Sequence, residues 1–184
     1  MKRVVLGLAA LAALTTAALV PARAEPAAPL APIASLDVAR YMGTWYEIAK
    51  YPNRFQRQCA GHTTAQYAAR SDGRVDVVNR CRKADGTSDD ATGVARPVGE
   101  AGTPKLEVRF APAWLSFLPW VWGDYWVIDL DPGYTLAAVS EPGRDYLWIL
   151  SRTPTVDSGA YQALLRRLEA KGFDITRLQA TPQD

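Results

Sequence analysis

Short stretches in which apolar and polar side chains alternate recur along most of the chain. The alternation and the strand-favouring residue types predict eight consecutive β-strands with connections of hairpin length. Turn-forming pairs stand in these connections, among them Asp72-Gly73, Asp85-Gly86 and Pro132-Gly133. The predicted strands are 43–50, 61–69, 74–81, 91–97, 104–110, 123–130, 134–140 and 145–151. This order is typical of an antiparallel sandwich or barrel.

The last predicted strand is apolar on both of its faces, since Leu147 and Ile149 alternate with Trp148 and Leu150. Such a strand is covered on both sides. The segment that follows, residues 155–171, predicts an amphipathic helix that provides this cover, with a short tail strand near 175–179. The apolar face of that helix consists of Tyr161, Leu164, Leu165 and Leu168.

The first 24 residues have the pattern of a signal peptide. Lys2 and Arg3 precede an apolar run at 4–20, and Ala22-Arg23-Ala24 forms an A-x-A cleavage site. We therefore expect a mature protein that is periplasmic or secreted. No cysteine lies near the cleavage site, so the lipid-attachment residue of bacterial lipoproteins is missing. Residues 25–36, rich in Ala and Pro, are expected to form a flexible arm before a single domain at 37–184.

The predicted cleavage changes the charge of the protein. The full chain carries a formal net charge of +2 at pH 7. Removal of Lys2, Arg3 and Arg23 leaves the mature chain near −1. The slight basicity thus belongs to the signal segment, and the sequence does not indicate nucleic-acid binding.

Two motifs connect this strand order to a known family. Gly43-Thr44-Trp45 resembles the first signature of the lipocalins, and Leu147 to Pro154 is similar to their final strand. The second signature is partly present, because Leu130-Asp131-Pro132 keeps only Asp131. The resemblance covers residues 37–179 and is strongest to bacterial lipocalins and apolipoprotein D.

The resemblance implies an all-β fold, an eight-stranded antiparallel up-and-down β-barrel with one C-terminal α-helix packed outside. It places Trp45 at the closed floor of the barrel and Arg152 over the Trp45 ring. Gly43, two residues before Trp45, allows a sharp backbone turn there. With the floor at Trp45, the connections 52–60, 82–90, 111–122 and 141–144 lie at the open end.

The interior of the barrel is the candidate ligand site. Alternation places Leu106, Val108 and Phe110 inside, whereas Lys105, Glu107 and Arg109 face water. The resemblance to apolipoprotein D carries pocket roles to Tyr67, Asn79, Phe110 and Trp148; alternatively, these side chains only fill a core. The candidate ligand-binding set is Tyr67, Val77, Asn79, Leu106, Val108, Phe110 and Trp148. A fatty acid or a lysophospholipid would suit such a pocket.

The two cysteines are expected at the open end, with Cys59 at the start of the second strand and Cys81 at the end of the third. An exported protein favours a disulfide between them. Two free thiols and a metal-binding pair are the alternatives. Because the chain has one histidine, His62, a Cys/His metal site lacks ligands, and we predict no metal.

The connection at 111–122 is unusually aromatic for a loop at the mouth of a barrel and contains no charge. Two interpretations compete, a lid over the pocket and a transient contact with a membrane, since Trp favours the bilayer interface. Dimerisation through this loop is a further alternative. The residues concerned are Trp114, Leu115, Phe117, Leu118, Trp120 and Trp122.

The leading interpretation is a lipid-binding protein without a cofactor that acts outside the cytoplasm. An enzyme on the same scaffold is an alternative, but the sequence has no G-x-S-x-G motif and only His62 as a base. A haem or pigment binder is a third possibility and lacks an evident inward histidine.

Overall fold

A single antiparallel sheet closes on itself to form a barrel. The computed structural model describes residues 28–100 and 102–184, so the predicted signal peptide at 1–24 lies outside the described residues. The strands are β1 Gly43–Lys50, β2 Cys59–Ala69, β3 Val75–Lys83, β4 Ser88–Pro97, β5 Lys105–Arg109, β6 Gly123–Leu130, β7 Leu136–Ser140, β8 Leu147–Ser151 and β9 Gln179–Ala180. The helices are α1 Val38–Tyr41 and α2 Ser158–Ala170.

Strand β1 closes the barrel by pairing with both ends of the meander β2 to β8. Its first half pairs with β2, where Trp45 lies opposite Ala65, and Tyr46 is opposite both Thr64 and Ser151. A register shift between Glu47 and Ala49 bends β1, and its second half pairs with β8 and β9. The predicted eight-stranded barrel with one C-terminal helix is therefore confirmed, with β9 added at its edge.

The elements after the barrel differ from the prediction in detail. Helix α2 begins later than expected because the Asp157 side chain accepts a hydrogen bond from Ala160 N and caps the helix there. The tail strand predicted near 175–179 is instead a 3₁₀ turn at Ile175–Arg177 followed by the short β9. The turn forms because Asp174 accepts a hydrogen bond from Thr176 N.

The segment before α1 is a correction to the predicted flexible arm at 25–36. In its described part, residues 28–36, Leu30 and Leu36 are buried and Ile33 N donates to Val127 O at 3.0 Å. The Ala/Pro composition suggested disorder, but the apolar residues placed between the prolines bury enough surface to hold the segment on the barrel.

Two apolar layers meet across the wall formed by β7 and β8. Leu150 faces the barrel interior together with Trp45, whereas Ile149 packs outward against Leu164 and Leu168 of α2. The expectation that β8 is covered on both faces is therefore confirmed. On the polar side of α2, Arg167 makes a bidentate pair with the buried Asp129, with both N–O distances at 2.8 Å.

Candidate ligand-binding cavity

The barrel encloses a cavity of about 670 Å³ that opens at one end. Its walls are mostly apolar, and polar and charged side chains gather near the mouth. All seven candidates from the sequence line it, namely Tyr67, Val77, Asn79, Leu106, Val108, Phe110 and Trp148. Tyr67, Val77 and Leu106 are buried, whereas Phe110 is 42 % exposed and lies at the rim. The structure thus brings these side chains around one space, and their contact with a ligand stays a prediction.

Arg109 departs from the alternation that predicted it to face water. Its side chain is buried, and its guanidinium lies 5.3 Å from the Trp122 ring centroid and donates to Ala111 O. Arg96 stacks on the same ring at 4.0 Å and also pairs with Glu107, which does face outward. The aromatic loop folds back over the outer wall and covers Arg109, an effect that strand periodicity does not show.

The floor is built around Trp45, which is fully buried and donates its indole N–H to Tyr41 O at 2.9 Å. The Arg152 guanidinium carbon lies 4.0 Å from the Trp45 ring centroid. Arg152 also donates to the backbone oxygens of Thr44, at 2.9 Å, Arg40, at 2.7 Å, and Tyr134, at 3.3 Å. Because these bonds connect β1 and α1 to the residue after β8, Arg152 stabilises the closed end of the barrel.

Gly43 has φ +96°, a conformation that favours glycine, and a Cβ there would approach Arg152 Nη1 to 3.3 Å. The first signature therefore combines a backbone turn with room for the arginine.

Asp131 organises the turn between β6 and β7 despite the unusual residues beside it. Its carboxylate accepts hydrogen bonds from Gly133 N, Thr135 N and Leu136 N. Partial burial tends to raise the pKa of Asp131, but the bonds from Leu136, Thr135 and Gly133 outweigh it and hold the pKa below its ordinary value. The departure from the second signature therefore leaves the hydrogen-bonded turn intact.

Replacing Arg152 with alanine should lower the free energy of unfolding by about 3 kcal/mol, because a partly buried cation–π contact and three charged hydrogen bonds are lost together. Arg177→Ala is the matched control: Arg177 stacks on Tyr51 at 4.2 Å but is exposed, so its loss should cost under about 1 kcal/mol. Urea denaturation of both variants measures the difference. Intact stability with lost lipid affinity in Arg152→Ala would mean that the arginine serves the ligand.

Directly above the floor, three tyrosine hydroxyls meet. The Tyr125 hydroxyl oxygen lies 2.9 Å from that of Tyr41 and 2.9 Å from that of Tyr67. Burial raises the pKa of all three phenols, that of Tyr67 to about 12, so all three are protonated at neutral pH. The sequence indicated Tyr67 as a cavity residue but neither Tyr41 nor Tyr125. The alternation of Tyr125 with Asp124 in β6 was the available signal, but Tyr41 arrives from α1, where no strand pattern applies.

A polar shelf lies higher on the wall, formed by Glu47, Gln56 and Trp148. The Glu47 carboxylate is buried and accepts bonds from Gln56 Nε2, Lys50 Nζ and Thr181 Oγ1, each at 2.6 Å. Gln56 Oε1 in turn accepts the Trp148 indole N–H at 2.9 Å. Lys50 compensates the buried carboxylate, so the shelf adds hydrogen-bonding groups to the cavity without a free charge.

The tail of the chain completes the wall beside this shelf. Backbone pairing of β1 with β2 ends at Tyr46, and above that point the Gln183 amide donates to Glu47 O at 2.7 Å and Thr63 O at 2.9 Å. Pro182 O accepts from His62 N at 2.7 Å. We call residues 179–183 the seam segment, because they fill the gap where the two strands separate.

The two cysteines form a disulfide at the mouth, which confirms the predicted pairing. The S–S distance is 1.98 Å and the Cα atoms are 5.5 Å apart, and both residues border the cavity. The bond links the start of β2 to β3 and leaves no thiol nucleophile on either residue.

The aromatic loop at 111–122 is folded rather than extended. Two 3₁₀ turns, Ala113–Leu115 and Pro119–Val121, shape it, and the Trp122 indole donates to Ser116 O at 2.9 Å. Three rings point away from the protein, with Trp114, Phe117 and Trp120 exposed by 73, 75 and 76 %. Trp120 to Trp122 also border the cavity mouth, so the loop touches both the entrance and the solvent. Within the described residues, no helix is long and apolar enough to cross a membrane.

A closed antiparallel barrel with an internal cavity, a tryptophan–arginine floor and an outer helix defines a protein class that encloses small molecules. The chain belongs to the lipocalin family, since the lipocalin-like domain matches residues 36–183.

Outer membrane lipoprotein Blc of Escherichia coli strain K12 is 40 % identical over 169 residues, which cover 90 % of this chain and 91 % of the relative. Apolipoprotein D of Macaca fascicularis is 31 % identical over 157 residues, covering 82 % and 78 %. Insecticyanin from the tobacco hornworm Manduca sexta has the same fold, with a TM-score of 0.64 at 19 % identity and 82 % of each chain covered.

Proposed function

We propose that the protein is an extracytoplasmic lipid carrier that holds one acyl chain, from a fatty acid or a lysophospholipid, inside the barrel. The observation that carries the proposal is the apolar cavity of about 670 Å³ with a single open end. Its volume falls among those of small-molecule sites. Each buried CH₂ contributes about 0.8 kcal/mol, so a long chain supplies most of the affinity before the costs of association.

The charges around the mouth favour a lysophospholipid over a simple fatty acid. Asp89, Asp124 and Glu141 border the entrance, against Arg54 and Arg80. Partial burial raises the pKa of Asp124, and the nearby Glu107 and Glu141 raise it further, which indicates crowding of negative charge. A zwitterionic headgroup tolerates such a rim better than a lone carboxylate does.

A location outside the cytoplasm agrees with the disulfide, because such bonds persist in oxidising compartments. The signal peptide expected at 1–24 supports the same placement. One relative is called an outer membrane lipoprotein, whereas this chain has no cysteine near the expected cleavage site and would act as a released protein.

The aromatic loop extends the proposal to the membrane surface. Trp114, Phe117 and Trp120 project from an uncharged segment beside the entrance, and tryptophan partitions to bilayer interfaces. We infer that the loop rests on the bilayer while a lipid enters or leaves, so that the chain does not cross water. A dimer formed through the same rings is the competing use of this surface.

The carrier function is tested with protein purified from its own host. Native mass spectrometry should show one bound lipid for each protein molecule, and a lysophospholipid should displace 11-(dansylamino)undecanoic acid from the delipidated protein. Micromolar or tighter competition is expected from the buried chain. The absence of any bound lipid, together with failure of both lipid classes to compete, would contradict the proposal.

A further inference from the structure

The three tyrosine hydroxyls at the floor have one hydrogen more than they can use among themselves. Each phenol carries one donor hydrogen. Two oxygen–oxygen contacts join Tyr125 to Tyr41 and Tyr67, and they consume two of the three hydrogens. The residues that the structure describes offer these hydroxyls no other acceptor within hydrogen-bonding distance. The third hydrogen therefore needs an oxygen that the described protein does not supply.

The position of the cluster makes this requirement specific for the ligand. Tyr41, Tyr67 and Tyr125 all line the cavity. The ring centroids of Tyr41 and Tyr67 are 5.6 Å apart, and those of Tyr67 and Tyr125 are 6.1 Å apart. An unpaired donor in such a buried place is costly. An acyl chain that ended in a methyl group would leave that cost in place, whereas a chain that ended in an oxygen would remove it.

The surroundings favour a neutral oxygen over a carboxylate. Burial raises the pKa of each phenol, so the site disfavours negative charge in general. Arg152 stacks on Trp45 and donates hydrogen bonds to Thr44 O, Arg40 O and Tyr134 O. The charge of Arg152 lowers the pKa of Tyr41 and Tyr67, but burial is the larger effect and the pKa of both phenols stays raised, so a neutral oxygen is favoured over an anion.

We propose that the floor is a second polar subsite, which accepts a hydroxyl or carbonyl oxygen at the leading end of the ligand's chain. The inference rests on the proposed function, because it assumes that a lipid chain fills the cavity. It narrows the ligand class to chains or rings that carry oxygen at the end remote from the headgroup, such as terminally oxidised acyl chains.

The test uses lysophosphatidylcholines whose acyl chains, 10 to 16 carbons long, end in either a methyl group or a hydroxyl. The large headgroup stays at the mouth and fixes the orientation of the chain. At the length that reaches the floor, the hydroxyl-ended lipid should displace 11-(dansylamino)undecanoic acid at least as well as its methyl counterpart. A penalty of about tenfold or more at every length, as expected for a purely apolar floor, would overturn the inference.

A variant with Tyr41→Phe, Tyr67→Phe and Tyr125→Phe provides the matched protein. It removes all three hydroxyls together, so no phenol is left with a lost partner. The ratio of its affinities for hydroxyl-ended and methyl-ended lipids of the same length should fall about tenfold below that ratio in the wild-type protein, whatever the change in absolute affinity. An unchanged preference in the folded variant would contradict the inference; if the variant does not fold, the wild-type length series decides alone.

The two proposals fail in different ways. If no lysophosphatidylcholine of either series displaces the probe from the wild-type protein, the carrier function is wrong. If both series bind but the terminal hydroxyl carries the same penalty in the wild-type protein and the triple variant, only the floor subsite is wrong.

Discussion

Leu106→Asp should weaken lipid binding by roughly a hundredfold while the barrel stays folded. Leu106 is 7 % exposed, faces the cavity from β5 and lies opposite Tyr125 in the neighbouring strand. A carboxylate there has no cationic partner in the apolar part of the cavity, and an unpaired buried charge costs several kcal/mol unless the group is neutralised. Displacement of a fluorescent fatty acid by lysophosphatidylcholine measures the effect.

The matched control places the same carboxylate on the outside of the wall. Gln66 is exposed on β2, between the inward-facing Ala65 and Tyr67, and Gln66→Asp should leave affinity within about twofold. Circular dichroism and the retained disulfide establish that both variants are folded. Unchanged affinity in a folded Leu106→Asp protein would place the ligand outside the barrel.

Replacement of Trp114, Phe117 and Trp120 with serine should reduce co-sedimentation with phosphatidylcholine vesicles by at least about tenfold. These three rings are the most exposed large apolar side chains among the described residues, and each contributes interfacial area that serine lacks. The loop has no charged residue, so vesicle binding by the wild-type protein should persist at 1 M salt, unlike a polybasic attachment. Affinity for soluble lysolipid should stay within a few-fold.

Val98→Ser supplies a control for the loss of exposed apolar surface in general. Val98 is 41 % exposed in the connection between β4 and β5, at the opposite end of the barrel from the mouth, and its replacement should not alter vesicle binding. If the loop is instead a lid, the triple serine variant should lose affinity for free lysolipid and keep its binding to vesicles. A shift from dimer to monomer without either change would assign the loop to self-association.

Most of the fold follows from local sequence signals. The alternation of apolar and polar residues in β5 places Leu106 and Val108 correctly because strand side chains alternate with a fixed period, and only the burial of Arg109 departs from it. Trp45 and Arg152 are close in space but far apart in the chain, and only the family motifs connect them in the sequence. Their contact then follows from the order of the strands.

The parts of the site that the sequence did not indicate depend on tertiary contacts. Alternation in β1 puts Glu47 on the same face as Trp45. A carboxylate can be buried there because the seam segment and Gln56 bring hydrogen-bond partners to it. Arg109 is buried by a loop whose path no periodicity describes. The tyrosine cluster brings together side chains from α1, β2 and β6. That one of its three hydroxyl hydrogens has no acceptor within the cluster becomes apparent only from the positions of the three oxygens.

The seam segment also bears on when the barrel wall can be completed during synthesis. Gln183 bonds to the backbone of Glu47 across 136 residues of sequence, and Thr181 bonds to the Glu47 side chain across 134. Contacts this distant in sequence form late and slow the folding of a barrel. A chain still emerging from a ribosome or a translocation channel has its first strand in place but lacks the residues that close the wall beside it. If the protein carries a lipid as proposed, we expect capture only after the whole domain has been released.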